Sequence, residues 1–316
     1  MIRIENLKKS FDTVDAVKGI DFVINDGEIL GFLGPNGAGK TTTLRMITSY
    51  LSPTAGKVLV DDMDANEDAD EVRKLIGYLP EHNPLYEDMI VYDFLEFVSK
   101  ARQIDPRDFP TRLKEVIDLC GLKKVIHRPI NELSKGFRQR VGLAQAIIHD
   151  PKILILDEPT TGLDPNQIVE IRELIKALGK EKTVIISSHI LQEIQATADR
   201  TIIINNGEIV ADGTVDELMS SFQGHTQMEL ELLNANDDDI NGLNSIDENI
   251  ALNEIADKNN IKFVKVEYPN TIDPREKIFD YATGKNWKIL EMSRHKVSLE
   301  DVFRNLTVEG GNANAK

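Results

Sequence analysis

The chain has 316 residues, enough for one large domain or two modest ones with a buried core. Apolar residues make up 41% and charged residues 28%, as in globular proteins, and no apolar run approaches the roughly 20 residues that cross a bilayer. The formal charge of −16 argues against DNA or RNA as the main ligand, because nucleic-acid binding relies on clustered Lys and Arg.

The opening segment MIRIENLKKS has no apolar stretch that could serve as a signal peptide. We therefore expect a cytosolic protein without direct membrane insertion. The single cysteine, Cys120, excludes an internal disulfide, and its place near the end of an apolar-periodic helix predicts a buried small hydrophobe. The six histidines are scattered and give no zinc-like spacing.

Antiparallel strands are predicted for residues 1–33. IRIENL and GIDFVIN have strand character, and the Asp26-Gly27 pair between GIDFVIN and EILGFLG predicts a hairpin. A glycine-rich loop follows and leads into a helix with the sequence TTTLRMITSY. KVLVDD and LIGYLP are then predicted as two further strands.

Residues 86–149 predict a helical subdomain, because FLEFVSKAR, RLKEVIDLCGL and RQRVGLAQAII space their apolar residues at three and four. Strand and helix then alternate through KILILD, the segment after GLDP, TVIISS and the segment after His189. ILILD and TVIISS are almost wholly apolar, as parallel strands covered on both faces are. TIIIN and EIVADG, joined by Asn206-Gly207, predict a second hairpin. The pattern indicates an α/β core with a helical insertion.

A second, smaller α+β domain is predicted at the C-terminal end. The acidic, Asn-rich segment 232–249 is interpreted as a linker or long loop. Beyond it the pattern predicts a helix to about residue 258, strand IKFVKVEY, a helix from Pro274, strand WKILEMS and a capped helix from Ser298. With MELELL before the linker, this order suggests a roughly ferredoxin-like domain. The predicted domains are therefore residues 1–222 and 223–316.

The segment GPNGAGKT, residues 34–41, has the composition of a phosphate-binding loop. Glycines let backbone N–H groups curl around phosphate oxygens, and the following helix directs its positive end towards them. Lys40 can reach the β- and γ-phosphates, and the Thr41 hydroxyl can bind Mg²⁺. The residues predicted to contact nucleotide from this segment and the position after it are Gly34, Pro35, Asn36, Gly37, Ala38, Gly39, Lys40, Thr41 and Thr42.

Two adjacent acids end the strand ILILDE. Asp157 is predicted to hold Mg²⁺, directly or through water, and Glu158 to orient the water that attacks the γ-phosphate. Adjacent carboxylates repel unless a cation lies close, so the pair itself implies a bound metal. A solvated acidic turn is the alternative.

The segment LSKGF, residues 133–137, lies at a predicted helix start within the helical insertion. Ser134 and Gly136 could form an anion-binding helix terminus, and Ser134 could simply cap the helix. The first interpretation places this terminus on the nucleotide of a second, facing subunit.

Over about residues 1–220 the chain resembles the ATP-binding subunits of ABC transporters. The resemblance rests on five motifs that occur in the order GPNGAGKT, LSKGF, KILILDEP, GLDP and SSH. The resemblance implies a head-to-tail homodimer with two ATP molecules between phosphate loops and signature motifs. It also implies that Phe11 stacks on adenine, although a buried Phe is the alternative. Glu81 and His189 would contact the γ-phosphate, and Asp164 would lie in the loop linking the two sites.

Three residues depart from the family pattern. Lys135 and Phe137 replace a glycine and a glutamine of the signature LSGGQ, and Glu81 replaces a glutamine. These variants and the extra C-terminal domain resemble the exporter branch of the drug, sodium and polysaccharide type. NPLY and LSKGFRQRVGLAQAIIHDP resemble most the ATP-binding subunit associated with gliding motility. The resemblance implies an integral membrane permease as partner and a location on the inner face of the cell membrane.

Two other classes share these motifs. Translation factors of the superfamily join two motor domains through a basic linker, whereas this chain has one set of motifs and an acidic linker. Chromosome and repair ATPases insert a long coiled coil between phosphate loop and signature, for which Gly34 and Leu133 lie too close in sequence. A stand-alone ATP-binding regulator without a membrane partner remains the alternative function.

Overall fold

The computed structural model of the protein describes residues 1–222, 225–246, 250–258, 261–269, 272–295 and 303. The chain divides into two units, and the division falls between Thr214 and Val215. The sequence suggested a boundary after residue 222. The helix Val215–Phe222 therefore belongs with the second unit rather than the first.

The first unit contains ten described strands and seven described α-helices in mixed order. The strands are β1 (Ile2–Phe11), β2 (Val14–Ile24), β3 (Ile29–Leu33), β4 (Ala55–Val60), β5 (Met63–Asp64), β6 (Ile76–Leu79), β7 (Ile153–Asp157), β8 (Thr183–Ser188), β9 (Arg200–Asn205) and β10 (Glu208–Gly213). The helices are α1 (Lys40–Ile47), α2 (Ala69–Leu75), α3 (Val91–Ala101), α4 (Phe109–Cys120), α5 (Lys135–Ile147), α6 (Pro165–Gly179) and α7 (Leu191–Gln195).

A six-stranded sheet forms the centre of this unit, in the order β10-β9-β3-β8-β7-β6. Strands β9, β3, β8, β7 and β6 are parallel, and β10 is antiparallel to β9. Every residue of β3, β7 and β8 is buried, as expected for parallel strands covered on both faces. The predicted α/β class is confirmed.

The hairpin predicted at Asp26-Gly27 is wrong. Strand β2 pairs with β1, in a separate four-stranded sheet of order β2-β1-β4-β5, whereas β3 pairs with β8 and β9. β3 is buried throughout and needs cover on both faces, whereas the second half of β2 alternates buried and exposed residues. The Asp26-Gly27 turn therefore joins two sheets. The hairpin at Asn206-Gly207 is confirmed.

The hydrophobic core of the first unit lies between the two sheets and includes one face of α1. Phe22 of the antiparallel sheet stacks on Phe32 of the parallel sheet, with ring centroids 5.8 Å apart. Leu44 and Ile47 of α1 belong to the same buried cluster. This packing fixes the start of α1 at the end of β3, where the glycine-rich loop lies.

The helical insertion predicted for residues 86–149 is present as α3, α4 and α5. Cys120 is fully buried near the end of α4, and burial raises the pKa of its thiol to about 12. The predicted structural role of this cysteine is thereby confirmed. Within the described residues, no helix is long and apolar enough to span a bilayer.

The second unit begins with α8 (Val215–Phe222) and contains a four-stranded antiparallel sheet. The remaining elements are β11 (His225–Leu233), α9 (Asp237–Asn241), β12 (Ala251–Lys258), β13 (Ile261–Pro269), α10 (Arg275–Gly284) and β14 (Lys288–His295). The strand order β12-β13-β11-β14 places the first and third strands at the centre, which is the ferredoxin-like arrangement. The predicted helix from Ser298, with its cap, lies outside the described residues.

Two expectations for this unit are wrong. Residues 251–258 form β12 rather than the end of a helix, because pairing with β13 supplies their backbone partners and overrides local propensity. The segment 232–249 is not simply a linker. It completes β11 and then forms α9 and a 3₁₀ turn (Gly242–Ser245), whose Ile240 and Leu243 are fully buried in the sheet's core.

A partly buried histidine beside β6 predicts an acid-dependent loss of stability. His149 Nε2 lies 3.2 Å from the carbonyl oxygen of Ile76, and Nδ1 is buried without a hydrogen-bond partner in the described structure. Burial, with the nearby charges of Arg102, Lys182 and Arg112, lowers the pKa of His149 to about 4. The unfolded chain binds this proton near pH 6.5, so stability is lost as pH falls from 6.5 towards 4.

We expect His149→Gln to reduce that loss. When the pH is lowered from 7 to 5, the free energy of unfolding should decrease in the wild type and in the variant. The decrease should be smaller in the variant, by up to about 2 kcal/mol. Urea unfolding at both pH values measures the difference, with the exposed His127→Gln as the matched control. An equal acid loss in His149→Gln and wild type would contradict this assignment.

Candidate active site

The predicted site residues follow three neighbouring strands of the parallel sheet. The glycine-rich loop follows β3, Glu158 follows β7 and His189 follows β8, and β8 lies between the other two strands. The carboxyl ends of parallel strands lie at one edge of a sheet, so the three segments meet there. A hydrogen bond from Gly34 N to Ser188 O, 3.3 Å long, joins two of them directly.

The loop before α1 has the backbone conformation that only glycine adopts without strain. Gly37 and Gly39 have φ angles of +80° and +109°. A β-carbon on Gly39 would lie 2.6 Å from the carbonyl oxygen of Ala16. The loop therefore turns tightly into α1, whose first backbone N–H groups face the edge of the sheet where the strands end. This is the geometry of an anion site at a helix N-terminus.

Lys40, the first residue of α1, is only 5% exposed. Its ammonium group donates to the carbonyl oxygens of Gly34, at 2.8 Å, and Pro35, at 3.2 Å. Its third neighbour is Oε1 of Glu158, at 3.3 Å. These three oxygen atoms hold the ammonium group in place at the start of α1.

Asp157 ends β7 and is fully buried. Its Oδ1 accepts a 2.6 Å hydrogen bond from Ser187 Oγ, whereas Oδ2 has no hydrogen-bond partner in the described structure. Burial raises the pKa of Asp157, the Ser187 and Thr41 hydroxyls oppose this, and the charges of Glu81 and Glu158 add to it. An unpartnered buried carboxylate oxygen beside a threonine hydroxyl fits a hard cation, which takes oxygen ligands.

Glu158 lies at the meeting point of the three segments and is only 6% exposed. Its φ angle of +50° is unusual for a side chain other than glycine, and its backbone N–H donates to Ser187 Oγ at 2.9 Å. One carboxylate oxygen faces Lys40. The other lies 2.8 Å from Nδ1 of His189 and accepts a 3.3 Å hydrogen bond from the hydroxyl of Thr161. Strained backbone is thus maintained by three side-chain contacts around one carboxylate.

A cleft of about 430 Å³ opens over these groups. It brings together nine of the residues predicted from sequence, namely Asn36, Gly37, Gly39, Lys40, Thr41, Thr42, Glu81, Glu158 and His189. Gly34 and Pro35 lie beneath it and hold Lys40 through their carbonyl oxygens. Ala38 is buried and has a structural role. Its carbonyl oxygen accepts a 2.9 Å hydrogen bond from the backbone N–H of Gly207.

Besides Gly34, Pro35, Ala38 and Asp157, four further predicted residues do not line this cleft. Phe11 is 46% exposed at the end of β1, so it is not the buried Phe of the alternative interpretation, and Lys9 Nζ lies 5.1 Å from its ring centroid. Ser134 caps α5 by accepting from Phe137 N at 3.4 Å, and Asp164 caps α6 by accepting from Gln167 N at 2.9 Å.

Gly136, the fourth of these residues, is buried beneath the side chain of Gln167, which would lie 2.7 Å from a β-carbon at position 136. The N-termini of α5 and α6 therefore pack closely, and a side chain at position 136 would have to displace the end of the Gln167 side chain. Both helix starts carry capping residues. Ser134 therefore caps α5 whether or not it also contacts the nucleotide of a second subunit.

Sequence reasoning missed three contributors to the site. Ala16 of β2 and Thr161 both line the cleft, and Ser187 bonds to both Asp157 and the backbone of Glu158. Ser187 lies in the motif SSH, but its partners lie on another strand. Nothing local in the sequence marks Ala16. Its place follows from the register of the antiparallel sheet.

The fold and site together define an ATPase with a phosphate-binding loop. Comparisons with known proteins specify its family. The family model described as ABC transporter matches residues 17–161. Two relatives from Bacillus subtilis (strain 168) are the linearmycin resistance ATP-binding protein LnrL and the ABC transporter ATP-binding protein NatA. LnrL is 31% identical over 97% of this chain and 98% of its own length. NatA is 38% identical over 69% of this chain and 89% of its own.

Solved structures similar to this chain belong to the same family. The dimeric structure of MJ0796, a bacterial ABC transporter cassette, is 27% identical with a TM-score of 0.63, covering 68% of this chain and 99% of that one. A post-hydrolysis dimer of the same cassette, bound to ADP and Pi, matches at 26% identity over the same shares with a TM-score of 0.63. The chain belongs to the ABC transporter ATP-binding proteins, and it is an ABC-type ATPase.

Proposed function

We propose that this chain is the motor subunit of an ABC-type export system, located on the cytoplasmic face of the membrane, which powers a separate permease through ATP-driven dimerisation. The observation that carries the proposal is the contact of Glu158 with both Lys40 and His189 in the cleft beside the glycine-rich loop. That arrangement joins a phosphate-binding cation, an acid that can act as a base and an orienting imidazole in one site.

In this mechanism Lys40 binds the β- and γ-phosphates, and the backbone N–H groups of the loop and α1 bind the remaining phosphate oxygens. Glu158 accepts the proton of the attacking water, and His189 orients Glu158. Thr41 and Asp157 would hold Mg²⁺, which would withdraw charge from the phosphate oxygens when bound. Phosphate binding must displace Glu158 from Lys40, so the carboxylate is released for its role as base when nucleotide enters.

Dimerisation would supply the second half of each site. Ser134 and Gly136 lie at the start of α5, where free N–H groups favour an anion, and Asp164 lies at the start of α6 beside them. In the proposed head-to-tail dimer these residues of one protomer contact the nucleotide of the other, and Phe11 stacks on adenine. The dimeric state of the MJ0796 cassette supports this arrangement.

Export is supported by the relationship to LnrL, a linearmycin resistance protein that this chain matches along almost its entire length. Resistance to a compound is compatible with its removal from the cell. The narrower proposal is a gliding-motility system, which rests on the segments NPLY and LSKGFRQRVGLAQAIIHDP.

An exposed aromatic pair in the helical insertion is a suitable docking surface for the permease. Tyr86 is 56% exposed and Phe97 46% exposed, and their ring centroids lie 5.5 Å apart. Apolar groups exposed together mark interaction sites more often than isolated ones do. Tyr86 follows Glu81 in the same short segment, so a partner bound here could act on the nucleotide cleft.

Purification of the tagged chain from membranes tests the proposal. We expect a multi-span membrane protein to co-purify, and Phe97→Asp to reduce its recovery at least about fivefold, since a buried charge opposes an apolar contact. Leu119→Asp is the matched control, because Leu119 is 42% exposed on α4 of the same insertion. An active ATPase that never brings a membrane protein would favour the stand-alone regulator instead.

The acid at position 81 predicts slow turnover. Glu81 lines the nucleotide cleft, and its charge acts on Asp157. A third carboxylate near the phosphates repels the triphosphate, so Glu81→Gln should raise the rate of ATP hydrolysis about threefold or more. Phosphate release by purified wild type and variant measures this, with the exposed Glu67→Gln as control. Equal or slower hydrolysis in Glu81→Gln would count against a repulsive role.

A further inference from the structure

The proposed base and its orienting histidine lie on two separate loops. Glu158 follows β7 and His189 follows β8, and their 2.8 Å contact depends on how these loops are held together. The side chain of His189 is 40% exposed, so packing supports it on one side only. Ser187 joins the two strand ends through Asp157 and the backbone of Glu158, and a further group that binds both loops beyond that point would limit their remaining movement.

Glu193 of α7 makes those contacts with one carboxylate oxygen. Its Oε2 accepts a 2.6 Å hydrogen bond from the hydroxyl of Thr160, two residues after Glu158. The same Oε2 accepts a 2.9 Å bond from the hydroxyl of Ser188, next to His189. Ser188 Oγ in turn accepts from Ile190 N at 3.0 Å, so the backbone on both sides of His189 is tied to this carboxylate.

The helix that carries Glu193, α7, is held in position by its packing. Leu191 and Ile194 are buried, and Ile194 packs so closely on Gly31 of β3 that a β-carbon there would lie 2.3 Å from it. Thr197 Oγ1 donates to the carbonyl oxygen of Glu193 at 2.8 Å. The carboxylate therefore projects from a helix that packs firmly against β3.

We propose that Glu193 is a positioning residue that joins the Thr160 and Ser188 hydroxyls and so fixes Glu158 against His189. The proposal rests on the roles given to Glu158 and His189 above, and it adds a residue that does not line the nucleotide cleft. Both donors are neutral hydroxyls, so an acceptor oxygen is required at position 193 rather than a negative charge. That requirement separates Gln, which keeps a carbonyl oxygen, from Ala, which does not.

Steady-state ATP hydrolysis by the full chain tests this with wild type, Glu193→Ala and Glu193→Gln. Because small misplacements of a reacting group are costly, Glu193→Ala should lower kcat by at least about tenfold with KM within about twofold. Glu193→Gln should recover kcat to within about threefold of wild type. The exposed Glu181→Ala is the matched control and should hydrolyse ATP like wild type.

Variants of the two donor hydroxyls make the test independent of whether Glu193→Ala folds. Thr160→Val and Ser188→Ala each remove one donor, and each should lower kcat. Adding Thr160→Val to Glu193→Ala should cause little further loss, because the shared contact is already gone. If Glu193→Ala does not fold, as judged by its melting curve, the two single-donor variants carry the test.

The outcomes are distinguishable. An inactive wild type would contradict the proposed function itself. An active wild type with unchanged kcat in Glu193→Ala, or in both donor variants, would overturn the positioning role alone. The proposal would also be overturned if Glu193→Gln hydrolysed ATP as slowly as Glu193→Ala. Position 193 would then require a negative charge and not only an acceptor oxygen. A loss confined to KM would assign Glu193 to nucleotide binding instead.

Discussion

Replacing Glu158 by Gln should lower the rate of ATP hydrolysis by about 100-fold or more, the range for loss of a general base. Binding should remain, because the amide fills the same volume and removes a negative charge that competes with phosphate for Lys40, 3.3 Å away. Without hydrolysis the bridging nucleotide persists, so the variant should accumulate as an ATP-bound dimer. Phosphate release, equilibrium ATP binding and light scattering with and without ATP measure the three quantities.

The exposed Glu173→Gln on α6 is the matched control for this substitution. Hydrolysis at the wild-type rate by Glu158→Gln would show that another group accepts the proton. A variant that binds ATP tightly but remains monomeric would contradict the dimerisation scheme while leaving the catalytic assignment intact. Loss of ATP binding would instead indicate that Glu158 chiefly stabilises the site around Lys40.

Replacing Lys40 by Met should raise the dissociation constant for ATP by about 100-fold or more, since a buried charge-assisted contact to phosphate is lost. Lys40 is 5% exposed, and the loop carbonyl oxygens of Gly34 and Pro35 hold its ammonium in place. ATP raises the melting temperature of a protein that binds it in the folded state only. That rise should appear in the wild type and be absent from Lys40→Met.

A double variant separates two causes of this loss. Lys40→Met leaves Glu158 without its cation, so an uncompensated carboxylate could itself repel ATP. Lys40→Met combined with Glu158→Gln removes both charges, and we expect ATP binding to stay weak, because the missing ammonium is the cause. Recovery of binding in the double variant would show that repulsion by Glu158, not the loss of Lys40, is responsible.

The local chemistry of the site could be predicted because its motifs are short. Phosphate binding needs glycines, a lysine and a helix start within a few consecutive residues, and GPNGAGKT contains all of them. The paired acids Asp157 and Glu158 likewise follow a strand recognisable from its apolar run. Asn206-Gly207 was predicted as a hairpin turn, and β9 and β10 flank it as an antiparallel pair.

Other local signals failed where long-range contacts outweighed them. Asp26-Gly27 predicts a hairpin by its composition, yet β3 lies at the centre of the other sheet because its fully apolar sequence requires cover on both faces. Residues 251–258 form a strand because β13 pairs with them. In both segments, burial and pairing with distant strands decided the structure.

The sequence by itself therefore determined which residue types reach the cleft and in which order they occur along the chain. Only the tertiary structure decided which groups touch: Lys40 with Glu158, Glu158 with His189, and Glu193 with Thr160 and Ser188. The physical reason is the strand order β3-β8-β7, which brings segments far apart in the chain to one edge of the sheet. Hydrogen bonds act over about 3 Å, so their partners are set by that order and not by sequence neighbours.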